Sequence, residues 1–166
     1  RGEAHRIAFT GAARTRIIAV ERDARSHPTI LVPGPKDLAA ARLTRWLFDQ
    51  AKSDLEKSVA EHAARLSLKA KRITIRDQTS RWGSCSTTGS LSFSWRLILA
   101  PSFVLDYVAA HEVAHLAEMN HGPRFWALVK KIRPEFEAAK QWLQVRGPDL
   151  HRYGPDHGRN HFPGCP

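Results

Sequence analysis

His111-Glu112-Val113-Ala114-His115-Leu116-Ala117-Glu118-Met119-Asn120-His121 is the stretch whose reading decides the fold. Residues four apart on an α-helix lie on one face, about one turn from each other. His111 and His115 can therefore point at a single metal ion, and Glu112 can reach a water bound to it. Imidazole nitrogens suit zinc, and a neighbouring glutamate suits a general base for metal-assisted hydrolysis. In a chain with nine histidines such a match can also arise by chance, so its surroundings decide its weight.

Those surroundings favour a buried helix. Pro101 stands where proline is tolerated, at a helix start. From Ser102 to Met119 there is no glycine or proline, and the run is apolar nearly all round. A charged group in such a helix is costly unless it is paired or bound to metal. An ordinary core role does not account for His111, Glu112 and His115 together.

A catalytic zinc takes three protein ligands. His121 follows His111 by ten residues, about 15 Å further along a straight helix. It can reach the same ion only if the helix ends soon after Glu118 and the chain turns back. Asn120 and Gly122-Pro123 are breakers that permit this, Asn and Gly through left-handed backbone and Pro by stopping a helix. The spacing equals that of the metzincin pattern, with Glu118 where that pattern has glycine. A carboxylate from a later helix, Glu135 or Glu137, is the competing third ligand.

Further motifs carry a resemblance. Arg81-Trp82-Gly83-Ser84-Cys85-Ser86, Leu91 through Pro101 and Tyr107-Val108 are three of them. The motif from His111 to Leu116 and the run Glu118 to Trp126 complete the series. In this order they resemble the YgjP-like metallopeptidases, densely from Arg72 to Trp142 and more loosely before. The resemblance implies a zincin-like domain with His111, His115 and His121 holding one zinc ion per chain and Glu112 catalytic. It also implies kinship with SprT-type and WLM-type proteases, some of which act on proteins attached to DNA.

The expected fold class is α+β: a zincin-like metalloprotease domain, with a small sheet packed on a long backing helix and the helix bearing the motif. Arg16–Val20 and Thr29–Val32 read as strands of an N-terminal hairpin or ribbon, closed by Pro33-Gly34-Pro35. The stripe Leu47, Ala51, Leu55, Val59, Ala63, Leu66 predicts a long helix from Asp37 to Leu66. Arg72–Arg76 alternates as a strand, and Leu91–Leu99 reads as its neighbour across a turn at Thr87–Ser90. Phe125–Ile132 and Glu135–Val145 read as helices split by Pro134. The expected organisation is a β region over 1–35, a metal-hydrolase domain over 36–146 and a loosely ordered tail over 147–166. Surface roles are expected for the tail histidines His151, His157 and His161.

The chain of 166 residues is 42% hydrophobic, which suits a globular domain rather than a disordered segment. No apolar run reaches the roughly eighteen residues of a membrane span. The first residues show no signal-peptide core. Cys85 and Cys165 make no disulfide framework, so a reducing cytoplasm is the expected compartment. Twenty-six Lys and Arg against sixteen Asp and Glu give a net charge of +10. A solvated basic surface is the plainer reading, since no compact Lys/Arg cluster with interleaved aromatics is visible. A nucleotide or nucleic-acid partner is the functional one.

The segment Arg81 to Cys85 supports two readings. One is a turn or bulge with Trp82 in the core. The other is an exposed strand edge that pairs with an extended polypeptide, with Arg81 stabilising an oxyanion. Asn120, Arg124 and Tyr153 are weaker candidates for substrate contact. Cys85 lacks a partner that would mark it as a nucleophile. The expected function is a zinc-dependent peptidase acting on unfolded or extended polypeptide. The alternatives are a nucleoside triphosphate pyrophosphohydrolase and a nucleic-acid-associated protease or binding module.

Overall fold

The computed structural model describes residues 1–11, 17–22 and 28–154. Arg16, His157, His161 and Cys165 lie outside them. Strands β1 (Arg6–Phe9), β2 (Ala19–Glu21) and β3 (Thr29–Val32) form one sheet. Helix α1 (Lys36–Arg65) follows. Strands β4 (Arg72–Arg76), β5 (Gly83–Cys85) and β6 (Ser90–Ser94) form a second sheet. A short 3-10 helix (Trp95–Leu99) leads into α2 (Ser102–Ala114), α3 (Pro123–Ile132) and α4 (Phe136–Arg146). A last 3-10 helix covers Gly147–Arg152. Among the described residues no helix is long and apolar enough to cross a membrane.

Helix α1 forms where its i, i+4 stripe predicts. It buries Ala51, Leu55, Val59 and Ala63, and packs on α2. Each large aliphatic side chain buried in this way contributes about 1.5–3 kcal/mol. Phe93 and Leu91 of β6 and Val104, Val108 and Val113 of α2 complete the main core. The small sheet, the backing helix and α2 are thus the expected α+β arrangement.

The sheets differ from expectation in detail. In the first, β3 is central: it pairs antiparallel with β2 and in parallel with β1, a strand the sequence pattern did not announce. In the second, the order is β4-β6-β5. The turn at Thr87–Ser90 joins β5 to β6, not β4 to its neighbour, and β4 runs parallel to β6. The expected strand Leu91–Leu99 ends at Ser94 and tightens into 3-10 geometry. There the Ser94 hydroxyl caps the Arg96 N–H at 3.4 Å. Alternation predicted β4, but pairing order depends on contacts distant in sequence.

The segment after Gly147 is not loosely ordered at its start. Leu150 is buried, and His151 lies 4.9 Å from the Trp82 ring, so His151 is no surface histidine. Burial beside the Arg96 guanidinium pushes its pKa down to about 4.

Behind α2, Asp106 joins three elements. It accepts hydrogen bonds from Ser58 (2.5 Å) and His62 (2.8 Å) of α1, and it pairs with Arg133 at 3.3 Å. Burial alone would raise its pKa. The His62 and Ser58 hydrogen bonds, with the charges of His62 and Arg133, outweigh that and hold it below 3.8. This contribution is present above pH 3.8 and is lost as pH falls through the lower native value. Asp106→Ala is therefore expected to cost about 2–3 kcal/mol at neutral pH in urea melts. The deficit should shrink in melts below about pH 4.

Candidate metal centre

Helix α2 stops earlier than Glu118. It ends at Ala114, with His115 as its cap. The amides of Leu116 and Ala117 bond three residues back, to Val113 and Ala114, which tightens the last turn. His115 Nδ1 donates to the Glu118 carbonyl at 3.0 Å and holds that turn. Left-handed backbone plays no part: Gly122 has φ −79, and Asn120 is not among the residues with positive φ. Gly122 then caps α3, whose first residue is Pro123.

This stop brings His121 back. Its Nε2 lies 3.0 Å from His111 Nε2. Ligand atoms of His111, His115 and His121 all fall within 4.8 Å of one another, and neither Glu135 nor Glu137 belongs to the group. Phe125, fully buried, forms a floor for all three rings, with centroids 4.8, 4.5 and 4.7 Å away. Trp126 and Tyr107 flank His111 at 6.0 and 5.9 Å. Because His115 uses Nδ1 on a carbonyl, its Nε2 keeps a lone pair for a cation.

Glu112 is 5% exposed, and its Oε2 has no hydrogen-bond partner among the described residues. Burial raises its pKa to about 8, against the pull of the Arg81 charge. Burial, reinforced by the neighbouring His115, His121 and Lys140, lowers that of His111 to about 3. Burial also lowers that of His115. Imidazoles held neutral beside an orphaned carboxylate are a donor set that fits a divalent cation.

Strand β5 lies over this carboxylate. A Cβ placed on Gly83 would stand 2.5 Å from Glu112 Oε1, so glycine is needed for space. The cleft has a volume of about 700 Å³. Arg81, Trp82, Tyr107, Met119, Lys140 and Leu143 line it with the three histidines and Glu112. Asn120 and Arg124 are exposed and do not line it; Arg124 lies 3.9 Å from Glu118. Tyr153 is also outside, its carbonyl accepting from Arg96 at 3.0 Å. Trp82 is both core and cleft wall, 7% exposed. Burial and the Glu112 charge push the Cys85 thiol pKa up, which disfavours the thiolate. Nothing in the local sequence pattern shows that Gly83 makes room for Glu112 or that Phe125 supports the histidines, because both contacts cross between elements. Lys140 and Leu143 come from α4 for the same reason.

A histidine trio that could hold a metal ion, beside a buried glutamate in an α+β fold, has the donor set of the metal-dependent hydrolase class. The YgjP-like, metallopeptidase domain family model matches residues 1–146, and the chain belongs to that family. No curated protein matches the sequence. Among solved structures it is similar to the crystal structure of the metallopeptidase zymogen of Pyrococcus abyssi abylysin. The TM-score is 0.50 at 21% identity, covering 60% of this chain and 97% of that one, a likeness of fold.

Two outcomes are expected. Gly83→Ala should displace the flexible Glu112 side chain while leaving the histidines in place. Metal content should stay at the wild-type level while hydrolysis falls about 100-fold. In chelator-treated protein, Glu112→Gln should be the more stable form at pH 8 and above, by on the order of 3 kcal/mol. Its native pKa is raised, so the wild type loses stability as pH climbs from 4.5 towards about 8. Urea melts across that range should show the gap closing at the acid end.

Proposed function

We propose that the chain is a zinc-dependent peptidase in which Glu112 is the general base and the substrate is an extended polypeptide. The observation that carries this is the meeting of three imidazole nitrogens, a buried carboxylate and a free strand edge at one cleft. His111, His115 and His121 would hold the ion. When bound there, zinc supplies Lewis acidity, lowering the pKa of a water and polarising a carbonyl oxygen.

The chain's own residues do the rest. Glu112 accepts a proton from the attacking water and passes it to the leaving amine. Its burial against Gly83 holds it at one place and keeps bulk water away. Arg81, close enough to act on the charge of Glu112, offers a cation to the developing oxyanion. Among the described residues strand β5 pairs only with β6, so one row of its backbone N–H and C=O groups is left for a substrate strand. Main-chain pairing tolerates many side chains, so cleavage should be broad in sequence and poor on folded proteins. The apolar walls Tyr107, Val108, Trp82 and Leu143 suit peptide side chains better than a triphosphate.

The test is a hydrolysis panel on zinc-loaded protein, with unfolded proteins, peptides and nucleoside triphosphates as separate arms. Unfolded protein should be cut by the wild type, and His121→Ala should lose the zinc. Glu112→Gln should keep the zinc and lose about 10²–10⁴-fold in rate. Glu112-dependent triphosphate hydrolysis without cleavage of any unfolded protein would overturn the peptidase reading.

A further inference from the structure

The second sheet has two faces, and only one meets the metal centre. Strand side chains alternate, so Ile73 and Ile75 pack on the core while Arg72, Thr74 and Arg76 share the outer face. The register places Thr74 beside Ser92 and Ser92 beside Ser84, in one row across all three strands. Arg72 and Arg76 stand at either end of β4, about 13 Å apart at the usual strand rise. With Arg81 and Gln78 they line a groove of about 460 Å³.

Three features separate this groove from an ordinary solvated sheet face. Among the described residues no carboxylate lines it. The nearest in sequence, Asp77, turns inward to Arg96 and the Trp95 indole. None of Arg72, Arg76 and Arg81 forms an ion pair among the described residues. Two polar atoms of its lining, Ser92 Oγ and Gln78 Nε2, are buried without a hydrogen-bond partner among the described residues. Both atoms are shut off from solvent, so they mark a polar floor beneath the groove, and direct contact with a ligand falls to the arginines that line it.

We propose that this groove binds the phosphodiester backbone of nucleic acid. Arginine together with Ser, Thr and Gln side chains is the set that contacts phosphate oxygens. Among the described residues the lining holds no aromatic ring, so it offers no platform for stacked bases. Binding should then be indifferent to sequence and should not require single strands. The groove meets the metal cleft at Arg81, Ser84 and Cys85, which line both, whereas Arg72 and Arg76 line the groove alone and can be substituted without touching the histidines or Glu112.

Fluorescence anisotropy on the zinc-loaded protein tests this, using a labelled duplex of about 20 base pairs and its separate strands at several salt concentrations. Three phosphate contacts give a slope of log affinity against log salt of about −2.7, or about a fortyfold loss between 50 and 200 mM. In Arg72→Gln/Arg76→Gln the slope should fall to about −0.9, with binding at least about tenfold weaker at the lower salt. Peptide turnover without nucleic acid should be unchanged, and Arg72→Lys/Arg76→Lys should recover most of the binding. A double glutamine variant that folds and binds the duplex like the wild type would overturn the proposal, placing any bound anion elsewhere. Displacement of the duplex by tripolyphosphate or poly-glutamate as efficiently, per charge, as by unlabelled duplex would overturn it too. The groove would then be a general anion site.

Discussion

The candidate metal centre depends on where α2 stops. Two imidazoles four residues apart face the same way on any helix, but a third ligand ten residues on requires the helix to end and the chain to reverse. Here i→i−3 bonds after Val113 and the His115–Glu118 tie end it within one turn. The same imidazole that fixes the turn keeps its other nitrogen for a cation. Phe125 of α3 then packs against all three rings, so aromatic contact helps to hold the trio together.

Burial sets the electrostatics of the site. It holds His111 neutral and makes ionisation of Glu112 costly, two conditions that favour a bound cation over a bare pocket. Placing polar groups in a core helix requires rigidity behind it. Asp106, on the side of α2 that meets α1, takes hydrogen bonds from Ser58 and His62 and pairs with Arg133. The reverse of the helix is thereby fixed to α1 and to the link between α3 and α4.

Strand β5 is three residues long and divides two environments. Gly83 admits the Glu112 carboxylate on one side, while Ser84 joins a row of hydroxyls between arginines on the other. The alternation of strand side chains makes this possible: adjacent residues answer to unrelated constraints. The charge of +10 thus has a local expression as well as a global one.

Local spacing determined much of this protein. The i, i+4 histidines with their glutamate and the stripe on α1 were legible because helical periodicity depends on near neighbours, whereas the end of α2 at Ala114 was set by the His115–Glu118 tie rather than by the expected left-handed breakers. The zincin-like class was legible from the order of motifs. What only the tertiary structure decided were contacts between distant segments: the pairing of β4 with β6, the parallel strand β1, and Gly83 against Glu112. The assembly of Arg72, Arg76 and Arg81 into one groove, where the sequence shows no compact cluster, is of the same kind. Asn120 and Arg124 sit beside His121 in sequence yet are exposed and outside the cleft in space. Such placements depend on which surfaces bury one another, and no local pattern encodes that.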